Sequence, residues 1–233
     1  MAKREYFLIV DVETTITDKV ADFGGVVCDR NGKIYGSIAV MVGNVFHVDK
    51  LFYDSKAAGI WSEASVIKRT ANYDSMIENG TRSIASVNAI NRWLHNVKGK
   101  YNNPTLLAYN IAFDLGKCRN TQIELDIFDN KVCIWAMAVG NICNTRPYKQ
   151  FALDNHLFNN RTDKGNMTYK TDAESVTGFL SGGLTSEPHT SIEDIIGYEI
   201  PTMVHIMKKR KWKENTKAYG WAAHQVRDHY RVK

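Results

Sequence analysis

No apolar run in this sequence approaches a membrane span. The longest, Tyr6–Val10 and Val132–Val139, fall far short of the roughly 20 residues a bilayer requires. The opening residues, Met-Ala-Lys-Arg-Glu, lack the apolar segment of a secretory signal, so a cytoplasmic location without membrane association is expected. Cysteine is scarce: Cys28, Cys118, Cys133 and Cys143 stand at wide, irregular spacings with no Cys-x-x-Cys pair and no zinc-ribbon pattern. Buried free thiols are the expectation for such a chain, and a site made of Cys118, Cys133, Cys143 and His156 is the alternative. Internal repeats and low-complexity segments are absent as well, which excludes a repeat architecture.

What is present is ordinary for a globular protein. The 233 residues are 44% apolar and 24% charged, suited to one α/β domain, or to one domain with an appendage. The net charge of +5 is unevenly placed: residues 208–233 hold nine Lys or Arg against Glu214 and Asp228. A basic end on a near-neutral body suits a polyanionic partner. In Lys208–Lys213, and then at Tyr219, Trp221, Tyr230 and Arg231, cations and rings interleave. That pattern fits phosphate contacts with base stacking, and equally a solvated helix whose rings pack on the domain. The expected division is 1–207 for the main domain and 208–233 for a basic, aromatic-containing extension.

The pattern of elements begins with strands. Tyr6–Val10 reads as a strand buried on both faces. Val20–Cys28 and Lys33–Val42 follow, joined by Asp29-Arg30-Asn31-Gly32, whose Asn-Gly tolerates the positive φ of a hairpin turn. Gly24-Gly25 inside the second strand suggests a bulge or a close backbone approach. From Val45 to about Lys100 the spacing of Ile84, Val87, Ile90, Asn91 and Leu94 predicts helix, ended by Asn102-Asn103-Pro104. Thr105–Tyr109 and Lys131–Met137 are the fourth and fifth strands, with a helix from about Ala112 between them. Phe151–Phe158 and Asp172–Leu180 read as short helices, and Asp163–Met167 and 181–184 as loops. A long helix is expected from Ser191 to about Lys213. Three early strands followed by alternating strands and helices predict an α/β fold: a mixed sheet flanked by helices, with functional groups at the carboxyl ends of its strands.

Three constellations carry chemistry. Asp11 and Glu13 follow the first strand at i and i+2, so both project to one side. Two carboxylates there repel unless a cation lies between them; a strand leaving the core into a polar turn is the other reading. Asn110-Ile-Ala-Phe113-Asp114 follows the fourth strand, where Asp114 suits either a site or the first turn of a helix. In His189-Thr-Ser-Ile-Glu-Asp194, Ser191 and Asp194 resemble a capping box, which would leave His189 an ordinary loop histidine.

Taken in order, Asp-x-Glu, Asn-x-x-Phe-Asp and His-x-x-x-x-Asp resemble the DEDDh branch of the 3′→5′ exonuclease superfamily. That group includes proofreading subunits of bacterial replicases, ribonuclease T and oligoribonuclease. The resemblance spans about Tyr6 to Lys208. It departs from the usual pattern at Ile16, where Gly is common, at Tyr109, where His is common, and at Ser191, where Ala is usual. It implies a ribonuclease H-like, five-stranded mixed sheet with its first three strands antiparallel. It also implies hydrolysis by in-line attack of water with two divalent ions, Mg²⁺ or Mn²⁺, held by Asp11, Glu13, Asp114 and Asp194. His189 would be the general base; Thr14 and Thr15 would contact the 3′-terminal nucleotide, and Asn110 and Phe113 would orient it. The expected substrate is single-stranded DNA ahead of RNA, attacked at its 3′ end, with a polymerase or other replication protein as a possible partner in trans. Trimming of RNA 3′ ends or of short oligoribonucleotides is the alternative within the same chemistry. A non-catalytic nucleic-acid-binding module is the alternative of another class.

Overall fold

The computed structural model describes residues 5–160 and 167–216. Tyr219, Trp221, Tyr230 and Arg231, together with most of the loop expected at Asp163–Met167, lie outside the described residues. The chain divides into two compact units, residues 1–132 with 188–195, and residues 133–187 with 196–233.

The first unit holds the sheet. Strands β1 (Tyr6–Thr14), β2 (Val20–Asp29) and β3 (Ile34–Val42) form the expected antiparallel meander. The β2–β3 turn closes as its residues dictate: Gly32 has φ +81° and donates its N–H to the Asp29 carbonyl at 2.9 Å. With β4 (Ser83–Ala85), β5 (Thr105–Ala108) and β6 (Lys131–Cys133), the sheet runs in the order β4-β3-β2-β1-β5-β6. β1 pairs in parallel with β5, and β3 with β4, so the sheet is mixed. Leu8, Val10 and Val12 alternate into a core shared with Phe23, Met41, Tyr73, Ile90, Leu94 and Phe128. Helices α1 (Glu63–Glu78), α2 (Val87–Lys100) and α3 (Ile111–Asn120) supply the flanking layers. Ser62 and Ser86 cap the first two, each accepting a backbone N–H three residues on.

Several expectations are corrected. The sheet has a sixth strand: Ser83–Ala85 joins the edge of β3, so Ile84 is 58% exposed on a sheet margin and takes no part in a helical stripe. Short edge strands carry too few residues for their period to register. Residues 45–58 form no helix; positive φ at Asn44 and His47 turns the chain, and Leu51 bridges to Thr15. The apolar run Lys131–Met137 is strand only to Cys133 and then helix α4 (Ile134–Ala138), whose buried Ile134, Met137 and Ala138 keep helical spacing. The last long helix is interrupted. It runs as α7 (Ser191–Asp194), widens through a π-type turn at Ile195–Glu199, and resumes as α8 (Ile200–Met207). Gly197 is a weak helix former and Pro201 has no N–H to donate to the preceding turn.

The second unit is organised around α5 (Arg146–Asp154) and α6 (Ala173–Ser181). Phe158 therefore belongs not to a helix but to the hairpin of β7 (Phe158–Asn160) and β8 (Met167–Tyr169). Tyr148, Phe151 and Phe179 pack ring to ring at 5.3–6.4 Å. The last helix among the described residues, α9 (Trp212–Thr216), lies against Gly140, where a Cβ would come within 2.1 Å of the Asn215 carbonyl oxygen. No helix among the described residues is long and apolar enough to cross a membrane.

Candidate active site

β1 outruns its parallel neighbour. Pairing with β5 ends at Ile9↔Leu107, whereas pairing with β2 continues through Asp11↔Gly24 and Glu13↔Asp22. Asp11 and Glu13 thus occupy one face of a strand that is flanked on one side only, the usual opening at the carboxyl ends of an α/β sheet. β5 leads through Asn110, in the left-handed region at φ +64°, into α3, and Asp114 in its first turn is 1% exposed. Asn is among the residues that accept that backbone conformation at little cost.

The third segment comes in over β2. A Cβ on Gly24 would lie 2.8 Å from Ser191 Oγ and 2.9 Å from Ile192 N, so this glycine permits the close approach of α7. The Ser191 N–H donates to Asp22 Oδ2 at 2.9 Å, and the Tyr73 hydroxyl donates to the same oxygen at 3.0 Å. Asp22 Oδ1 faces Arg82 Nε at 3.4 Å, and Arg82 reaches on to both oxygens of Glu193. The helix start falls one residue earlier than a Ser191–Asp194 capping box would place it. Thr190 is the N-cap, without a side-chain bond, and Asp194 Oδ2 accepts the Thr190 N–H at 3.0 Å.

These strands and turns bring the carboxyls together. One ligand atom each from Glu13, His189 and Asp194 lies within 4.8 Å of the others, and His189 Nδ1 is 3.9 Å from Glu13 Oε1. Burial, followed by the charge of Asp22, raises Asp11 to about 7. Burial and the charge of Asp11 push Glu13 and Asp114 well above the usual carboxylate range, Arg69 partly opposing this at Glu13. His189 is lowered by burial and then by Arg69, so it is neutral at pH 7. Among the described residues, Asp11 Oδ2 and Asp114 Oδ2 are buried oxygens with no hydrogen-bond partner. Buried carboxylate oxygens without donors, beside further acids, are what hard divalent ions need. The residues fit such an ion.

Other expected residues fall around this centre. Thr14 and Thr15 are buried, and their backbone groups are engaged: Thr14 O accepts from Phe52 N at 2.8 Å, and Thr15 N–H donates to Lys19 O at 2.8 Å. Phe113 is 43% exposed under Lys117 Nζ, 4.9 Å from its ring centroid, and Asn110 is exposed beside it. The four cysteines are free; Cys28, Cys118 and Cys143 are buried.

Sequence reasoning missed Asp22, Arg69, Tyr73, Arg82 and the rings of Phe52 and Trp61. Trp61 lies 5.0 Å from His189 and 5.7 Å from Phe52, centroid to centroid. Asp22 left one signal, a lone charge inside an otherwise apolar strand.

No protein-family model matches the chain, and no curated protein matches it by sequence. Among solved structures it is similar to exonuclease I in complex with the inhibitor BCBP, at TM-score 0.45 and 14% identity over 92% of this chain and 43% of that one. It is similar also to E. coli exonuclease I in complex with a 5cy-dT13 oligonucleotide, at TM-score 0.44 and 15% identity over 91% and 41%. The zinc-bound form of the E. coli exonuclease I complex with single-stranded DNA matches at TM-score 0.45 and 15% identity, over the same shares. The chain thus spans about two fifths of the length of these structures, and the likeness concerns the fold alone.

Proposed function

We propose that this chain is a metal-dependent 3′→5′ exonuclease that releases nucleoside monophosphates from single-stranded nucleic acid, DNA in preference to RNA. One observation carries the reading: Asp11 Oδ2 and Asp114 Oδ2 are buried without hydrogen-bond partners beside the convergent Glu13, His189 and Asp194. Asp11, Glu13, Asp114 and Asp194 would hold two divalent ions, Mg²⁺ or Mn²⁺. When bound, such ions supply charge stabilisation to the non-bridging and leaving oxygens of a phosphodiester under in-line attack. His189, neutral at pH 7, accepts the proton of the attacking water. Glu13, facing His189 Nδ1, stabilises the imidazolium that results.

The substrate's path follows from what is exposed. Phe52, at 40%, offers apolar surface next to Trp61, whose ring adjoins His189. Rings stack on bases that are not paired, which favours a single strand. Thr14 contributes by holding Phe52 through its carbonyl, and Asn110 and Phe113, both exposed, would orient the terminal nucleotide. We assign catalysis to residues 1–207 and phosphate contacts to the basic residues of 208–233. Removing 217–233 is expected to lessen the salt dependence of oligonucleotide binding.

The test uses 5′-labelled single-stranded DNA, duplex DNA and RNA with Mg²⁺, Mn²⁺ or EDTA. The reading expects a ladder shortening from the 3′ end of single-stranded DNA, abolished by EDTA. Faster loss of RNA would transfer the activity to an exoribonuclease. Binding without products in either metal would leave a non-catalytic module.

A further inference from the structure

Arg69 is a buried cation, 7% exposed, for which the hydrolytic scheme has no use. Its NH2 group donates to the Phe52 carbonyl at 3.0 Å, and its guanidinium lies 5.1 Å from the centroid of the Trp61 ring. So anchored, it presents NH1 to Glu13 Oε2 at 3.6 Å, too far for a hydrogen bond, while its Nε is buried with no partner. Arg82 likewise stands off Asp22, with its Nε 3.4 Å from Oδ1, but its other end closes on both oxygens of Glu193, whereas among the described residues Arg69 has no second acid within 4 Å. A buried guanidinium with one acid at a distance and an unpartnered donor is costly to keep. Arg69 bears that cost, with an unpartnered Nε and an NH1 that stands 3.6 Å off the acid an ion would share.

We infer that Arg69 is the resident counter-cation of Glu13 in the ion-free protein, that it opposes divalent-ion binding there, and that it turns its free NH1 and Nε donors to a substrate phosphate once an ion is in place. The guanidinium fork matches phosphate oxygens in pairs. The phosphate half rests on the function proposed above; the ion half needs only the cation site.

Two titrations of the full chain test this, in wild type, Arg69→Gln and Arg69→Lys. The first adds Mn²⁺ without nucleic acid; the second adds thymidine 5′-monophosphate at saturating Mn²⁺. Removing the charge in Arg69→Gln is expected to tighten Mn²⁺ binding by about tenfold, since like charges a few ångströms apart interact by about 1–2 kcal/mol when well screened. The same variant is expected to bind the mononucleotide about tenfold more weakly. Arg69→Lys keeps the charge and should bind Mn²⁺ as wild type does. Opposite signs for metal and nucleotide are the signature, because a merely structural residue would weaken both. Unchanged or weaker Mn²⁺ binding by Arg69→Gln, in a protein with a native circular dichroism spectrum, overturns the inference and leaves the proposed function standing. If that variant does not fold, Arg69→Met carries the same expectations. A wild type that binds no Mn²⁺ overturns both.

Discussion

Asp22 and Asp11 lie on adjacent strands of one sheet, both withdrawn from solvent, and their surroundings treat them in opposite ways. Asp22 has the Ser191 N–H and the Tyr73 hydroxyl on one oxygen, and its other oxygen, though without a hydrogen-bond donor, is paired in charge with the Arg82 guanidinium at 3.4 Å. Asp11 and Asp114 each keep an oxygen with no donor as well, and among the described residues neither has a cationic side chain within 4 Å. Burial pushes all three upward, but only Asp22 has a guanidinium, an amide and a hydroxyl pulling it back. The lesson is that a buried acid answered by its own protein is part of the frame, and one left unanswered is kept for something from outside.

That contrast can be broken at its strongest point first. Asp11→Ala or Asp194→Ala is expected to abolish nucleotide release, by at least about 10³-fold in single-turnover rate, with the fold intact by circular dichroism. His189→Ala should lower the rate by about 10²–10⁴-fold while leaving Mn²⁺ able to bind. Asp22→Ala should act on stability: it leaves Arg82 buried beside an empty place, at a cost of about 3–5 kcal/mol in denaturant unfolding. Loss of activity from Asp22→Ala without loss of stability would erase the distinction.

The pH dependence of the ion-free protein sharpens it. Asp11 titrates at about 7 folded, against a reference of 3.8, so the folded form holds its proton more tightly. Its contribution to stability is then full below pH 3.8 and is lost as the pH rises through 7. In EDTA the unfolding free energy should fall across that window, by at most about 4 kcal/mol from this group, and Asp11→Asn should flatten the slope. The raised Glu13 and Asp114 carry the decline to higher pH. Mn²⁺ should restore stability most at the alkaline end. The smallest effect expected is that of Gly24→Ala, about 1–3 kcal/mol, because its Cβ would press α7 away from β2.

The acids of the centre were legible because local periods place them. The alternation of a strand puts Asp11 with Glu13, and a helix starting after β5 puts Asp114 in a buried first turn. The residues that hold the centre together were not. Asp22 meets its partners Tyr73 and Ser191 at separations of 51 and 169 residues, and Arg82 meets Glu193 at 111, distances over which no local pattern operates. The cover over Thr14 and Thr15 was not legible either, since Phe52, which donates to Thr14 O, and Leu51, which bridges to Thr15, come from far along the chain. The mixed sheet was readable from its long strands, and β4 was not, since its three residues borrow their order from β3.

Anomalous diffraction from crystals soaked in Mn²⁺ tests the central contrast most directly. Peaks within bonding distance of Asp11 and Asp114 carboxylate oxygens, and none at Asp22, are the predicted result. An empty density map at Asp11 and Asp114, or a peak on Asp22 in their place, would contradict it.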